Sequence, residues 1–408
     1  MTKFLISLIS FILYMVLKYR KSIYMLQQNS YNVSNRYIKW IIKNIRKSFV
    51  TYDLIIFVFL ILANLLFQNY IVYVMSIIYF ICFYIELKLI KKEQQKKKFA
   101  VTSRVKRLYF TLFILFIVLI MFIYKNCNDF YGYLYISLFG YFSFIITFIL
   151  NILNIPAEKF VYYYYLNKAK RKLKNMPNLN IIGITGSYGK TSSKNILNTV
   201  LSSEFNSYPT PKSFNTPYGL MKSINNGLDK FDNVFIAEMG ACKLKDIKIL
   251  CDLVHPKYGI ITTIGVAHLE TFKSEENIVK GKFELVESLP SDGVAILNRD
   301  DQKQVNYKIK NNCKVIWIGI DNDADIKASS INLSYNGTSF KVKFKGDEKE
   351  YQFETKLLGR HNIYNILDSL AVAYDLKVPI PKMQMAVKSL VPTEHRLNLI
   401  KYKDMFLI

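Results

Sequence analysis

Five long apolar runs crowd into the first 153 residues of this chain, at 4–17, 54–69, 70–87, 109–124 and 133–153. Several approach the roughly 20 residues that a helix needs to cross the hydrocarbon of a bilayer. The expected N-terminal architecture is therefore an α-helical membrane region, residues 1–155, with four or five spans. The uncertain stretch is 54–87, barely long enough for two short helices joined at Gln68-Asn69-Tyr70; as one span it lowers the count to four. The 408 residues exceed one average domain, so a second folding unit is expected after the apolar region.

Charge placement supports this division. The chain carries a formal +25, of which residues 1–174 hold +20 and the remainder +5. Basicity concentrated in the hydrophobic part speaks for membrane topology and against nucleic-acid binding. The segments 18–53, 88–108 and 155–180 hold 8, 9 and 6 Lys+Arg, whereas the tips 68–70 and 125–132 hold none and one. A hairpin at 54–87 places all three basic segments on one side, the cytoplasmic one by the positive-inside rule. A signal peptide at 1–17 is disfavoured, because Lys18-Tyr19-Arg20-Lys21 follows where a small-residue cleavage site would stand. Glu86 reads as an interfacial carboxylate paired with Lys88 or a nearby base rather than a transport residue. Residues 36–47 read either as an amphipathic helix on an anionic leaflet or as a solvated loop. The five cysteines are scattered, with no Cys-x-x-Cys pair, and suggest neither a disulfide framework nor a zinc site.

After a basic linker, residues 156–178, the character changes. Leu179 to Ile184 is short and β-branched, Lys190 to Leu201 has helical apolar spacing, and between them lies Gly183-Ile-Thr-Gly-Ser-Tyr-Gly-Lys-Thr-Ser192. A glycine-rich turn between strand and helix lets backbone N–H groups converge on phosphate oxygens. Lys190 then supplies a point charge and the Thr191 hydroxyl a ligand for Mg²⁺. The strict Walker spacing wants glycine at 184 and finds Ile184. Further strands are expected at 234–237, 259–264, 294–297 and 315–319, with helices at 275–289 and 361–376. That alternation implies an α/β domain with a mostly parallel sheet over 179–391, ligands gathering at the carboxyl ends of its strands. Glu238, His268 and Asn298 fall there. Alternation around Asn336-Gly337 predicts an antiparallel hairpin within 331–344.

These segments, with Ser213-Phe-Asn-Thr-Pro-Tyr-Gly219, Glu238-Met-Gly-Ala241, Ile264-Gly-Val-Ala-His-Leu-Glu270, Leu297-Asn-Arg-Asp-Asp301 and Gly359-Arg-His-Asn-Ile-Tyr-Asn365, resemble the central domain of the Mur ligases. The resemblance is greatest to the member that adds D-alanyl-D-alanine. It accounts for the loop's glycines at 183, 186 and 189. It implies ATP-dependent amide formation in bacterial peptidoglycan precursor synthesis, in which an amine attacks an acyl phosphate. It further implies that Gly186, Ser187, Tyr188, Gly189, Lys190, Thr191 and Ser192 hold ATP, with Asn298 near the adenine and Asn362 and Asn365 closing the pocket. One Mg²⁺ would be bound by Thr191 and Glu238, a second by His268 and a carbamylated Lys282, with Lys190, His268 and Lys282 as the catalytic set. Lys280 rivals Lys282, but two positions apart on a helix they point about 200° from one another.

Two departures shape the expected partners. Membrane spans stand where such ligases carry a uridine-nucleotide domain, so a carboxylate on a lipid-linked or wall precursor suits the chain, with an amino acid or dipeptide as amine. Residues 392–408, opening with Pro392-Thr-Glu-His-Arg396, read as a linker or the start of a truncated C-terminal ligase domain, with His395 where glycine is usual. A separate C-terminal ligase domain is a candidate partner. The expected location is the bacterial cytoplasmic membrane, multi-pass, with the ligase domain in the cytoplasm. The alternatives are a ligase for another lipid-linked or capsular polymer, a folylpolyglutamate-type ligase, a transporter with a fused ATPase, or a non-catalytic scaffold.

Overall fold

In a computed structural model the described residues are 2–32, 36–49, 53–92, 98–334, 337–391, 400–402 and 405–407. They divide into two compact units, Met1–Val161 and Tyr162–Ile408.

The first unit is all helical. Thr2–Gln28, Leu54–Leu66, Ile71–Lys92 and Ser103–Asn126 are its long helices. Ser103–Asn126 is started by Thr102, whose hydroxyl accepts from the Val105 N–H at 3.3 Å, satisfying one donor the helix leaves open. Among the described residues three helical segments are long and apolar enough to cross a membrane: Ile45–Leu66, Gln68–Lys91 and Ser103–Asn126. A fourth qualifies if the pair Asp129–Tyr141 and Ser143–Leu153 counts as one span, although the two are bent by 74°. The run 133–153 is thus not the single straight helix that its hydropathy suggests. At the break the Tyr19 hydroxyl donates to the Phe139 carbonyl at 2.8 Å, and the Tyr37 hydroxyl to that of Phe144 at 3.3 Å. Side-chain donors inserted into the backbone ladder kink a helix, and hydropathy carries no trace of them.

Of the two partnerships expected for Glu86, with Lys88 or with a nearby base, the second is found. Glu86 is fully buried and lies 3.7 Å from the ammonium of Lys18, which also pairs with the buried Asp53. Lys88 instead sits 4.6 Å from the centre of the Tyr84 ring. The reason is helical geometry: residues two apart face different sides, whereas residues four apart meet. Residues 36–47 contain the helix Ile38–Lys43, ended at Asn44, whose side chain donates to the Trp40 carbonyl at 2.9 Å, before Ile45–Phe49 begins.

The second unit is an α/β domain. Its strands are β1 (Asn180–Thr185), β2 (Ser207–Pro209), β3 (Val234–Glu238), β4 (Tyr258–Ile261), β5 (Val294–Asn298), β6 (Lys314–Gly319), β7 (Ile326–Ser334), β8 (Gly337–Phe344) and β9 (Glu350–Thr355). They form one sheet in the order β2-β3-β1-β4-β5-β6-β7-β8-β9. Pairing is parallel from β2 to β7 and antiparallel across β7, β8 and β9. Alternation along each strand sorts the side chains. Ile182, Ile184, Ile260 and Ile296 pack with Ile196, Leu197 and Leu367 on one face. Phe235, Ala237, Ile261 and Leu297 pack with Leu250, Ile278 and Phe283 on the other. Both faces are covered by helices, as a parallel sheet requires.

The expected strands and helices form with small shifts of boundary. The strand expected to reach Ile264 stops at Ile261, because the Thr262 hydroxyl turns to the Tyr188 carbonyl at 2.6 Å and ties the next residues to the glycine-rich loop. The helix expected over 275–289 is Glu275–Phe283, followed by a single tight turn at Val286–Ser288. Strands β2 and β9 had no clear signal: β2 is three residues ending in Pro209, and β9 turns only Phe353 and Thr355 fully inward. Asn336 lies outside the described residues, but β7 and β8 pair on either side of it. Most of the expected linker 156–178 is one helix, Ile155–Lys174. Glu158 stands in its first turn and Arg171, Lys172 and Lys174 in its last, the arrangement that complements the helix dipole. Residues 392–399, including His395, lie outside the described residues; Ile400–Tyr402 and Met405–Leu407 pair antiparallel.

One core residue conflicts with its surroundings. Asp368, on the helix Arg360–Asp375, is 3% exposed, and its Oδ1 has no hydrogen-bond partner. Burial raises its pKa well above the ordinary 3.8. A carboxyl with a raised folded-state pKa stabilises relative to the unfolded chain only at low pH, and that advantage disappears as pH rises through the folded value. Asp368→Asn is therefore expected to be nearly neutral at pH 4 and increasingly stabilising toward pH 8. The urea midpoint of the second unit, followed by Trp317 fluorescence at the two pH values, measures the difference; equal midpoint shifts at both would refute it.

Candidate nucleotide and phosphate site

The loop after β1 is held open by two glycines. Gly186 has φ +155°, and a Cβ there would come within 1.9 Å of the Thr262 hydroxyl, so no side chain fits. Gly189 has φ +84°, a left-handed conformation that glycine adopts at little cost, and starts the helix Lys190–Leu201. The loop is braced from below: the Ser187 N–H donates to the Thr263 carbonyl at 2.9 Å and its hydroxyl to that of Gly265 at 2.8 Å. Lys190 folds back, donating to the carbonyls of Gly186 at 2.8 Å and Ser187 at 3.2 Å. The result is a rigid turn at the N-terminus of a 12-residue helix, with a lysine at its mouth.

Two cavities flank this turn. One, of about 400 Å³, is lined by Gly186, Ser187, Lys190, Asn215, His268 and Lys282 among others. The fold thus brings together Lys190, His268 and Lys282 from three separate stretches of sequence. His268 takes a left-handed backbone conformation at φ +58°, heading the turn Leu269–Phe272. The other cavity, of about 580 Å³, is lined by Tyr188, Gly189, Ser192, His361, Asn362 and Asn365 among others. Asn362 donates to the Leu358 carbonyl at 2.8 Å, which fixes its side chain at the rim. Asn298 lines neither cavity: its side chain accepts from the Asp300 N–H at 2.9 Å and shapes the turn after β5.

Glu238 ends β3 with 1% exposure. The Thr191 hydroxyl donates to its Oε2 at 3.1 Å, and the Asn215 amide to its Oε1 at 3.2 Å. The third partner is Lys194, whose ammonium lies 3.0 Å from Oε2 and also donates to the Lys212 carbonyl. Sequence reading passed over Lys194. Its signal was available, since Lys194 stands three and seven positions before Leu197 and Leu201, on the apolar stripe where an unpaired lysine has no place. Lys194 is 2% exposed.

Lys282 is also buried, at 3%, whereas Lys280 is exposed. Burial first, and the neighbouring charge of Lys190 second, lower the Lys282 pKa to about 8. Its ammonium lies 5.8 Å from the centre of the Phe272 ring. The carbamylated lysine implied by the resemblance is not supported, because the ligases that add D-alanyl-D-alanine lack that modification. An ammonium has donors only and binds no metal. Among the described residues no three His, Cys, Asp or Glu side chains gather as a metal cluster.

The fold and the loop define an α/β domain with a glycine-rich turn between β1 and the helix Lys190–Leu201. More particularly, residues 184–373 match the Mur ligase middle domain. The chain is similar to the UDP-N-acetylmuramoyl-tripeptide--D-alanyl-D-alanine ligase of Buchnera aphidicola, 32% identical over 58% of this chain and 52% of that one. It is likewise similar to the Bacillus subtilis ligase of the same name, 28% identical over 54% and 47%. Among solved structures, MurF of Thermotoga maritima in complex with ADP superimposes with a TM-score of 0.54 at 25% identity, covering 59% of this chain and 55% of that one. MurF of Acinetobacter baumannii, at 23% identity and a TM-score of 0.56 over 60% and 53%, shares the fold. The chain spans about half the length of the relatives it matches.

Proposed function

We propose that this chain is the ATP-activating part of a MurF-like ligase of peptidoglycan precursor synthesis, joining a carboxylate to an amino acid or D-Ala-D-Ala amine at the membrane surface. The observation that carries the reading is the convergence of Lys190, His268 and Lys282 on one cavity beside the loop. A triphosphate fits the loop: the N-terminus of the helix Lys190–Leu201 favours negative charge, and Gly186, where a Cβ would strike the Thr262 hydroxyl, lets the turn pack close against Thr262. Mg²⁺ fits the hard oxygens of Thr191 and Glu238, since this ion needs few protein ligands beside phosphate and water. Bound there, it would neutralise phosphate oxygens. Phosphoryl transfer to a carboxylate passes through a loose transition state in which positioning and charge neutralisation supply most of the acceleration. Lys190 and the loop N–H groups hold the transferred phosphate; Lys282 adds a second cation to the same cavity, and His268 lines its wall. Together they offset repulsion between a phosphate and an anionic acceptor. The amine then attacks the acyl carbon, the new C–N bond replaces the C–O bond to phosphate, phosphate leaves, and the nitrogen gives up a proton to solvent.

Three or four candidate spans and the basic segments 18–53, 88–108 and 155–180 support a cytoplasmic-membrane tether with the ligase unit on the cytoplasmic side. A lipid-linked acid suits such a tether. Hydroxylamine trapping of the acyl phosphate, with UDP-muramoyl tripeptide and with lipid-linked acids, tests the reading. A hydroxamate formed only with ATP, Mg²⁺ and one of these acids is expected; its absence with all of them, in a chain that binds ATP, would overturn the proposed acceptors.

Lys282 adds a pH dependence. Below about 8 its amine is charged and attracts phosphate; above, the charge is lost. Because its folded-state pKa is lowered, its burial costs stability below about pH 8, and that cost fades as pH rises toward 10.5. ATP affinity is expected to fall about tenfold between pH 7 and 9, the weight of one charge-assisted contact. In Lys282→Met affinity should be weaker and flat across that range, which calorimetric titration at each pH measures.

A further inference from the structure

A third cavity, of about 440 Å³, shares no lining residue with the two beside the loop. It lies where the ends of β5 and β6 meet the β7–β8 ribbon, and four cations line it against two carboxylates: Arg299, Lys327, Lys343 and Lys345 against Asp323 and Asp325. Asp325 is already engaged, accepting from the Trp317 N–H at 2.9 Å and pairing with Lys345 at 2.7 Å. Among the described residues Arg299, Lys327 and Lys343 have no carboxylate within ion-pair distance. Lys327 and Lys343 stand directly opposite one another in the antiparallel register, a placement that like charges make unfavourable. Glu350, opposite Lys343 on the other side, pairs with Lys341 at 3.8 Å. The guanidinium of Arg299 stacks 5.0 Å from the centre of the Trp317 ring, so its planar fork of donors is oriented before any ligand arrives.

We propose that this cavity binds a phosphate or diphosphate group, held by the Arg299 fork and bridged between Lys327 and Lys343. An oxyanion there offsets the repulsion between the facing lysines and accepts two parallel N–H bonds from arginine, the geometry that distinguishes phosphate recognition from a diffuse basic surface. The volume admits a diphosphate with part of its substituent. Such a group reaches a protein either on a soluble nucleotide or on a phospholipid headgroup.

Trp317 is one of two tryptophans, so in a Trp40→Phe background its fluorescence reports on this cavity alone. The full chain in nanodiscs is titrated with inorganic pyrophosphate and with UDP, and mixed with phosphatidylglycerol vesicles. A saturable change below millimolar pyrophosphate or UDP is expected, weakened about tenfold or more in Arg299→Gln/Lys343→Gln and kept in Lys190→Ala, which disables the loop. A saturable change with vesicles alone, lost in the same double variant, supports the site with a lipid phosphate as its source. No saturable change with any probe, an equal response in the double variant, or loss of the response in Lys190→Ala would overturn it. Unchanged ATP affinity in the double variant shows that the fold is kept.

Discussion

Replacing Lys194 by methionine is expected to make the stability of the α/β unit strongly dependent on Mg²⁺. Lys194 and Glu238 form a pair with both side chains 2% exposed, and Thr191 and Asn215 are the carboxylate's other partners. Removing one member of a buried pair leaves an uncompensated charge, at a cost of about 3–5 kcal/mol. A divalent cation can replace the missing ammonium at the same carboxylate oxygen, because Mg²⁺ takes such hard oxygens readily. The variant should therefore melt well below the parent in chelator, and added Mg²⁺ should recover much of the difference. A ligand at 100 times its dissociation constant stabilises by about 2.7 kcal/mol. The parent, whose carboxylate is already paired, should respond less. Thermal melts of both proteins with and without Mg²⁺ measure this. A variant that is destabilised equally with and without the metal would assign Lys194 to packing alone and remove Glu238 from the metal site.

Lys190→Ala is expected to abolish ATP-dependent turnover and to weaken ATP binding by about a hundredfold. Lys190 is the charged side chain set on the loop itself, tied to the Gly186 and Ser187 carbonyls, and it stands where a triphosphate would meet the helix N-terminus. Charge-assisted contacts contribute about 1.5–3 kcal/mol each, and a bound triphosphate would use more than one of its donors. The fold should be unaffected, because Lys190 is only partly buried. Isothermal titration with ATP measures the affinity, and cellular complementation separates this outcome from the scaffold alternative, under which the phenotype would survive the substitution.

The parts of the fold read correctly from sequence were those written in local periodicity. Strands β1, β3, β5 and β6 are continuous apolar runs because both faces of a parallel sheet are covered, and such runs identify themselves. The helix Lys190–Leu201 was equally plain. What failed to show were features set by a distant partner. Thr262 ends β4 early because it bonds to the loop after β1, 74 residues away in sequence. The 74° bend between Tyr141 and Ser143 coincides with hydroxyls from Tyr19 and Tyr37. Glu86 takes Lys18 rather than Lys88 because the helices Thr2–Gln28 and Ile71–Lys92 lie side by side.

The same division holds at the site. By itself the sequence determined the glycine-rich turn, its lysine and threonine, and the carboxylate at the end of β3, because a tight turn from strand to helix needs particular residue types at fixed local spacing. Helical spacing also determined that Lys280 and Lys282 face different ways. Only the tertiary structure decided which of the two is buried, that Lys282 confronts Lys190, and that Lys194 holds Glu238. Burial and opposing charge are properties of what surrounds a side chain, and those surroundings come from segments that only the sheet brings together.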